Sequence, residues 1–263
     1  MPLPRLHLFE FNDTAGVPAF VQDTIIESLS RTLAWGHVLR GLVGPFSQFV
    51  AQAGVSEVLD VGAGAGGPAG IFVEEMLAAG IEPPRFILTD VNPQLESWEA
   101  LKRRHPRYID YVREPVDGAA VPPELARGRV TAIINALHHF PPALAQRVVR
   151  AALERSSGLF VIEGFERTPL GFAAFAPAGL PALLANPLLS PRHNLRKAVF
   201  TWLTPMAVAI AVWDGLVSTM RVYSEEELRE MVAPLAKRED FTYATYPIGR
   251  LGRGYYFAGG LSR

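Results

Sequence analysis

The chain has 263 residues, enough to bury one substantial core and close to the upper limit for a single α/β domain carrying an insertion. Its 25 basic residues nearly balance 26 acidic ones, so no global field holds it on nucleic acid or on an anionic membrane. With no cysteine it has no disulfide framework, thiolate metal site or cysteine nucleophile; no metal centre is expected, and the composition suits a reducing compartment such as the cytoplasm.

The first residues, MPLPRLHLFEFND, lack the uninterrupted apolar stretch of a signal peptide. From 18 to about 50, apolar residues recur at helical spacing with a break near 41–45, which predicts a helical N-terminal extension over residues 1–54. Residues 57–61 (EVLDV) read as a short strand ending in glycines, and 67–79 as a helix. The alternation repeats: strand 85–89, helix 92–104, strand 108–112, strand 130–134, helix 142–154, strand 159–162. Strands separated by helices return to one sheet only by crossovers and therefore run parallel. The expected fold is α/β: a doubly wound, mostly parallel seven-stranded sheet with an antiparallel last strand, N-terminal helices, and a helical insertion after the fifth strand.

After Glu163 the rhythm fails. Residues 169–217 form a proline-punctuated apolar stretch without strand signal, too long for a plain loop, and predict an apolar helical insertion or cap over 169–220. Within it, 199–212 (VFTWLTPMAVAIAV) contains Pro205 and falls short of the roughly 20 apolar residues a membrane span requires, so no stable span is expected. Ser224 and Glu227 have the spacing of a capping box, opening a helix to about Leu235. Residues 243–248 and 255–261, joined by a turn over 249–254, read as a closing strand pair, so that the core comprises 55–168 and 221–263.

The segment Asp60-Val61-Gly62-Ala63-Gly64-Ala65-Gly66-Gly67 places glycines where a strand turns into a helix, so backbone approaches a ligand without side-chain collision. Taken alone, Gly62, Gly64 and Gly67 also satisfy the G-x-G-x-x-G of a dinucleotide site. Asp60, Gly62, Gly64 and Gly66 match the acid-x-Gly-x-Gly-x-Gly first motif of the class I (Rossmann-like) S-adenosylmethionine-dependent methyltransferases, and the chain resembles that family from about Glu57 to Glu163 and in its terminal strand pair.

The resemblance implies an enzyme that binds S-adenosylmethionine and releases S-adenosylhomocysteine. It implies that Asp60, Gly62, Ala63, Gly64 and Gly66 lie along the amino-acid moiety, and that Asp90, with Val91 beside it, holds the ribose hydroxyls. It further implies that Asp117 and Gly118 meet the adenine, and that Asn135 and Ala136 lie beside the cofactor at the end of the fourth strand.

Methyl transfer is an in-line displacement, so the protein aligns the reactants and excludes water and need not supply a nucleophile. An acceptor hydroxyl or amine needs a base; His138 and His139 at the mouth of the fourth strand are the candidates, with Glu163 on the carboxyl edge of the fifth. The bland alternative has one histidine packing and the other capping the next helix.

The apolar insertion points to a small lipophilic or aromatic acceptor, or equally to plain core packing, with Trp202, Trp213 and Asp214 as candidate substrate contacts. Arg221 stands as an available partner for Asp214. The cluster Arg192, His193, Arg196, Lys197 fits a solvated helix face, an anionic group or peripheral membrane contact. Rival readings are a protein or RNA methyltransferase, a nicotinamide-dependent oxidoreductase, and a non-catalytic cofactor-binding protein. The acceptor atom and the oligomeric state are not legible.

Overall fold

The computed structural model describes residues 4–14, 16–168, 171–190, 192–235, 240–250 and 252–260. Helices α1 (Ala19–Trp35) and α2 (Val43–Gln52) precede β1 (Glu57–Val61), α3 (Gly67–Ala78), β2 (Arg85–Thr89), α4 (Leu95–Arg104) and β3 (Ile109–Tyr111). Then come α5 (Pro123–Ala126), β4 (Val130–Ile134), α6 (Pro142–Arg155) and β5 (Gly158–Glu163). The insertion holds α7 (Ala176–Leu189), α8 (Asn194–Ala198), a π-helical turn (Val199–Leu203) and α9 (Met206–Arg221). The chain closes with α10 (Glu225–Val232), β6 (Phe241–Ile248) and β7 (Gly252–Gly259).

One seven-stranded sheet has the order β3-β2-β1-β4-β5-β7-β6. The first five strands pair in parallel, and β7 runs antiparallel to β5, with Glu163 opposite Tyr255. Strands β6 and β7 are neighbours in the sheet and follow each other closely in the chain as a hairpin, so β7 alone opposes the common direction. This is the doubly wound sheet expected from the alternation of elements. Strands β4 and β5 are buried at every position, as a sheet covered on both faces requires.

By contacts the chain forms two compact units: Met1–Val38 with Phe165–Val222 and Pro247–Arg253, and Leu39–Gly164 with Tyr223–Tyr246 and Gly254–Arg263. The second unit holds the sheet. Phe46 of α2 is fully buried among Phe72, Phe86 and Phe160, with ring centroids 4.7, 5.9 and 5.1 Å away, so α2 is part of the sheet's own core. In the first unit, Val21 and Ile25 of α1 pack with Leu183, Phe200, Ala207 and Ile210 of the insertion.

Several boundaries differ from expectation for local reasons. The first helical break falls at 36–39, where the Gly36 and His37 N–H groups donate to the Thr32 and Ala34 carbonyls at 2.9 and 3.2 Å and His37 takes φ +48°, which closes α1. Helix α4 starts at Leu95 because the Asn92 N–H is committed to Asp90 Oδ1 at 2.8 Å. Helix α10 ends at Val232, short of Leu235. Strand β7 starts at Gly252 and takes in Gly254, where a Cβ would lie 2.6 Å from the Glu163 carbonyl oxygen; the expected end at Leu261 and the expected insertion start at Pro169 lie outside the described residues.

Candidate active site

In an open α/β sheet the crevice opens at the carboxyl edge where successive crossovers diverge, here between β1 and β4. Both loops leaving that point carry the expected residues. After β1, Gly62, Gly64 and Gly66 have φ of +75°, +53° and +79°, the left-handed region glycine adopts without strain. The Gly62 and Ala63 N–H groups both donate to the Thr89 carbonyl at 3.0 Å, and the Gly66 N–H donates to the Ala63 carbonyl at 2.8 Å, which winds the loop into a tight turn over the end of β2.

The glycines serve different ends. A Cβ on Gly66 would stand 3.0 Å from Leu88 and 3.1 Å from Leu101, so those side chains would have to give way; a Cβ on Gly64 would meet nothing within 4 Å, so Gly64 faces open space. The Trp98 indole N–H donates to the Gly64 carbonyl at 2.8 Å and anchors the turn from α4. Nothing in the sequence links Trp98 to the loop, or Thr89, whose hydroxyl donates to the Asp60 carbonyl at 2.8 Å.

Asp90 follows β2 directly. Its Oδ2 accepts the Gly64 N–H at 2.9 Å and its Oδ1 the Asn92 N–H, so the carboxylate lies against the glycine turn with lone pairs remaining on both oxygens. Val91 beside it is exposed. Asp60 is 2% exposed, and its Oδ1 has no hydrogen-bond partner among the described residues. Burial, with the Asp90 charge adding to it, pushes the Asp60 carboxyl up to about 8.

Asp117 is exposed and caps the short turn Gly118–Ala120 by accepting the Ala119 N–H at 2.8 Å. A Cβ on Gly118 would come within 2.7 Å of Val61 Cγ1, so this loop is drawn against the end of β1.

After β4, Asn135 takes φ +52°, and its Oδ1 accepts the Gly164 N–H at 2.6 Å, tying the ends of β4 and β5 together. A Cβ on Gly62 would lie 3.4 Å from Ala136 and Phe140, so the two loops meet. The Phe140 carbonyl accepts the Tyr223 hydroxyl at 2.6 Å, which steadies the segment. His138 is buried; its backbone N–H donates to Glu163 Oε1 at 3.1 Å and its Nδ1 lies 2.7 Å from Glu163 Oε2. The His139 ring is 4.1 Å from that of His138, centroid to centroid.

Glu163 is fully buried at the end of β5. Its carbonyl accepts the Tyr246 hydroxyl at 3.3 Å, and burial raises the proton affinity of that phenol further. Tyr246 carries no sequence signal for this position, because the β6–β7 hairpin brings it there from 83 residues away.

No family model matches the chain, and no curated protein does. Solved structures of similar form exist. The mitomycin 7-O-methyltransferase MmcR is 17% identical at a TM-score of 0.49, over 94% of this chain and 62% of its own. An O-methyltransferase from Nostoc punctiforme described as putative is 13% identical at 0.49, over 97% and 64%. An O-methyltransferase of neocarzinostatin biosynthesis, solved with S-adenosylmethionine and a naphthoic acid, is 15% identical at 0.46, over 84% and 57%. The chain thus spans about three-fifths of the length of these proteins.

The structure brings Asp60, the glycine turn, Asp90, Gly118, the 135–139 segment and Glu163 together in the sheet unit. Trp202, Trp213 and Asp214 belong to the other unit. Trp202 and Trp213 are exposed, and their indole N–H groups donate to the carbonyls of Leu184 and Phe9 at 2.9 and 3.0 Å.

Asp214 is buried and accepts the backbone N–H groups of Phe11 and Asn12 at 2.8 and 3.1 Å; burial raises its pKa against those two bonds. It anchors the segment before α1. The Arg221 charge acts on Asp214 as expected and lowers its pKa against the burial, and the guanidinium also serves the far N-terminus: it lies 3.3 Å from Glu10 Oε1 and 3.0 Å from Asp13 Oδ2 and donates to the Leu8 carbonyl at 3.0 Å.

Proposed function

We propose that the chain is an S-adenosylmethionine-dependent methyltransferase acting on a small lipophilic or aromatic acceptor in the cytoplasm. The observation that carries this reading is the buried Asp60 carboxyl, with one oxygen lacking a partner, beneath a left-handed glycine turn and beside Asp90. A buried carboxyl without a partner is costly, and a cationic amino group relieves it. Asp90, with lone pairs to spare at the end of the next strand, suits a pair of vicinal hydroxyls. The residues present therefore fit the group. When bound, the cofactor supplies an electrophilic methyl on a sulfonium and leaves as S-adenosylhomocysteine.

Asp60 would receive the ammonium in place of its proton, the glycine turn would let backbone approach, and Asp90 would hold the sugar. The Glu163 carboxylate takes the Nδ1–H of His138 and sets its tautomer, which leaves Nε2 as an acceptor for the proton of an acceptor hydroxyl. The second backbone bond from His138 to Glu163 holds the ring in place.

Thermal unfolding with ligands tests the reading. S-adenosylhomocysteine at ~100 times its dissociation constant is expected to add about 2.7 kcal/mol to the native state, and Asp90→Ala to remove most of that gain. Stabilisation by NAD with none from S-adenosylhomocysteine overturns the assignment. Labelled methyl retained on protein or RNA, with no small product, overturns the choice of acceptor.

A further inference from the structure

The exposed faces of the insertion helices are apolar. On α7 the solvent stripe is Leu180, Leu184 and Leu188, at i, i+4 and i+8. The run through α8 and the π-helical turn presents Leu195, Val199, Trp202 and Leu203, at i, i+4, i+7 and i+8. On α9 the stripe is Met206, Trp213 and Leu216. Leu188, Leu195 and Leu203 are 73%, 79% and 78% exposed, values ordinary for lysine and costly for leucine. The opposite stripes form the unit's core through Leu183, Phe200, Ala207 and Ile210, so these helices are apolar all round.

Charge within the insertion up to Trp213 has one sign. No acidic residue occurs between Arg167 and Asp214, while Arg192, Arg196 and Lys197 fall together in six positions. Lys197 is buried on Glu27 Oε1 at 2.9 Å, and the same glutamate lies 3.7 Å from Arg31, so the nearest acid of α1 is already engaged. Arg192, His193 and Arg196 are exposed at the start of the α8 stripe. Trp202 and Trp213 already bond their indole N–H groups to backbone, so their outward edges are apolar and enter a lipid interface without losing a hydrogen bond. Among the described residues no single helix is long and apolar enough to cross a membrane; the pair Asn194–Leu203 and Met206–Arg221, bent by 84°, satisfies length and composition only together. A bend of that size suits elements lying in an interface.

We infer that the α7–α9 face docks on an anionic lipid bilayer, its leucine stripes in the acyl boundary and Arg196 among the headgroups. Charge complementarity selects this occupant. A two-fold contact between copies sets a patch against itself, and an insertion whose own charges up to Trp213 are all positive brings like charges together there. An anionic headgroup layer supplies one, and the leucines supply the area that makes binding more than electrostatic. The inference stands apart from the methyl-transfer reading.

Co-sedimentation of the full chain with phosphatidylcholine vesicles, with and without phosphatidylglycerol, tests it. Binding is expected to the anionic vesicles, to weaken with salt, and to be accompanied by a blue shift of tryptophan emission that Trp202→Phe reduces. Arg196→Ala is expected to weaken partitioning about fivefold. Leu203→Glu is expected to abolish it with an unchanged melting curve, since that side chain stands in solvent. A chain that stays in the supernatant with anionic vesicles at low salt overturns the inference, as does binding that survives Leu203→Glu combined with Arg196→Ala. A dimer in sedimentation equilibrium that Leu203→Glu dissociates, with no vesicle binding, replaces the bilayer by a second copy.

Discussion

Asp60 couples folding, pH and ligand binding in one carboxyl. The folded chain keeps its proton up to about pH 8, whereas the same group in the unfolded chain releases it near 3.8. Between those values the native state binds more protons, so stability from this group falls as pH rises through the window and levels off above it. Asp60→Asn is expected to melt higher than the parent at pH 8, with the gap closing toward pH 4, when unfolding is followed across pH by circular dichroism. The amide carries no charge to meet an ammonium, so calorimetry is expected to find S-adenosylhomocysteine bound about tenfold more weakly or worse. Equal affinity in the variant would remove Asp60 from the ligand.

The His138–Glu163 pair separates catalysis from binding: Glu163→Gln keeps the shape but faces Nδ1 with an amide, and His138→Asn removes the ring. Each is expected to lower kcat by about 10²–10⁴ and leave S-adenosylhomocysteine affinity within about threefold, as turnover and calorimetry would report. A fall in affinity with kcat intact would make the pair a binding feature instead.

At the scale of elements, the strand-to-helix turn after β1 makes a distinction among its glycines that sequence cannot. All three sit at positive φ, but Gly66 is enclosed by Leu88, Leu101 and Trp98, while Gly64 opens on empty space. Gly66→Ala is expected to cost about 3 kcal/mol of stability, from backbone strain together with overpacking. Gly64→Ala is expected to cost about 1 kcal/mol and to weaken cofactor binding, so denaturant melts and ligand titration should move in opposite proportion between the two. The elements themselves were largely legible. Short β-rich runs set between segments of helical spacing located β1, β2, β4 and β5, and Ser224 with Glu227 forms the capping box in full. Boundaries were legible only where a local signal set them. The start of α4 depends on an Asp90 bond, and the start of β7 on contact with β5, neither of which a window of residues contains.

Over the whole molecule, near-neutral charge conceals an uneven distribution, because the acids fall outside residues 168–213 and leave that stretch only cations. The first 38 residues join the insertion in one compact unit although more than a hundred positions separate them in the chain, and no change of composition marks Val38 as a boundary. What the amino-acid order determined by itself was the class of sheet, the glycine turn and the two acids at consecutive strand ends, since these follow from short-range periodicity and from the one residue type that tolerates left-handed backbone. Tertiary structure alone decided that His138 rests on Glu163, that Trp98 holds the Gly64 carbonyl, that Arg221 answers Glu10 and Asp13 of the far N-terminus, and that leucines of the insertion face outward. The reason is physical: a charge or an indole N–H bonds whatever acceptor the packed backbone brings within 3 Å, and over separations of tens to hundreds of residues that proximity is fixed by the fold and by no local pattern.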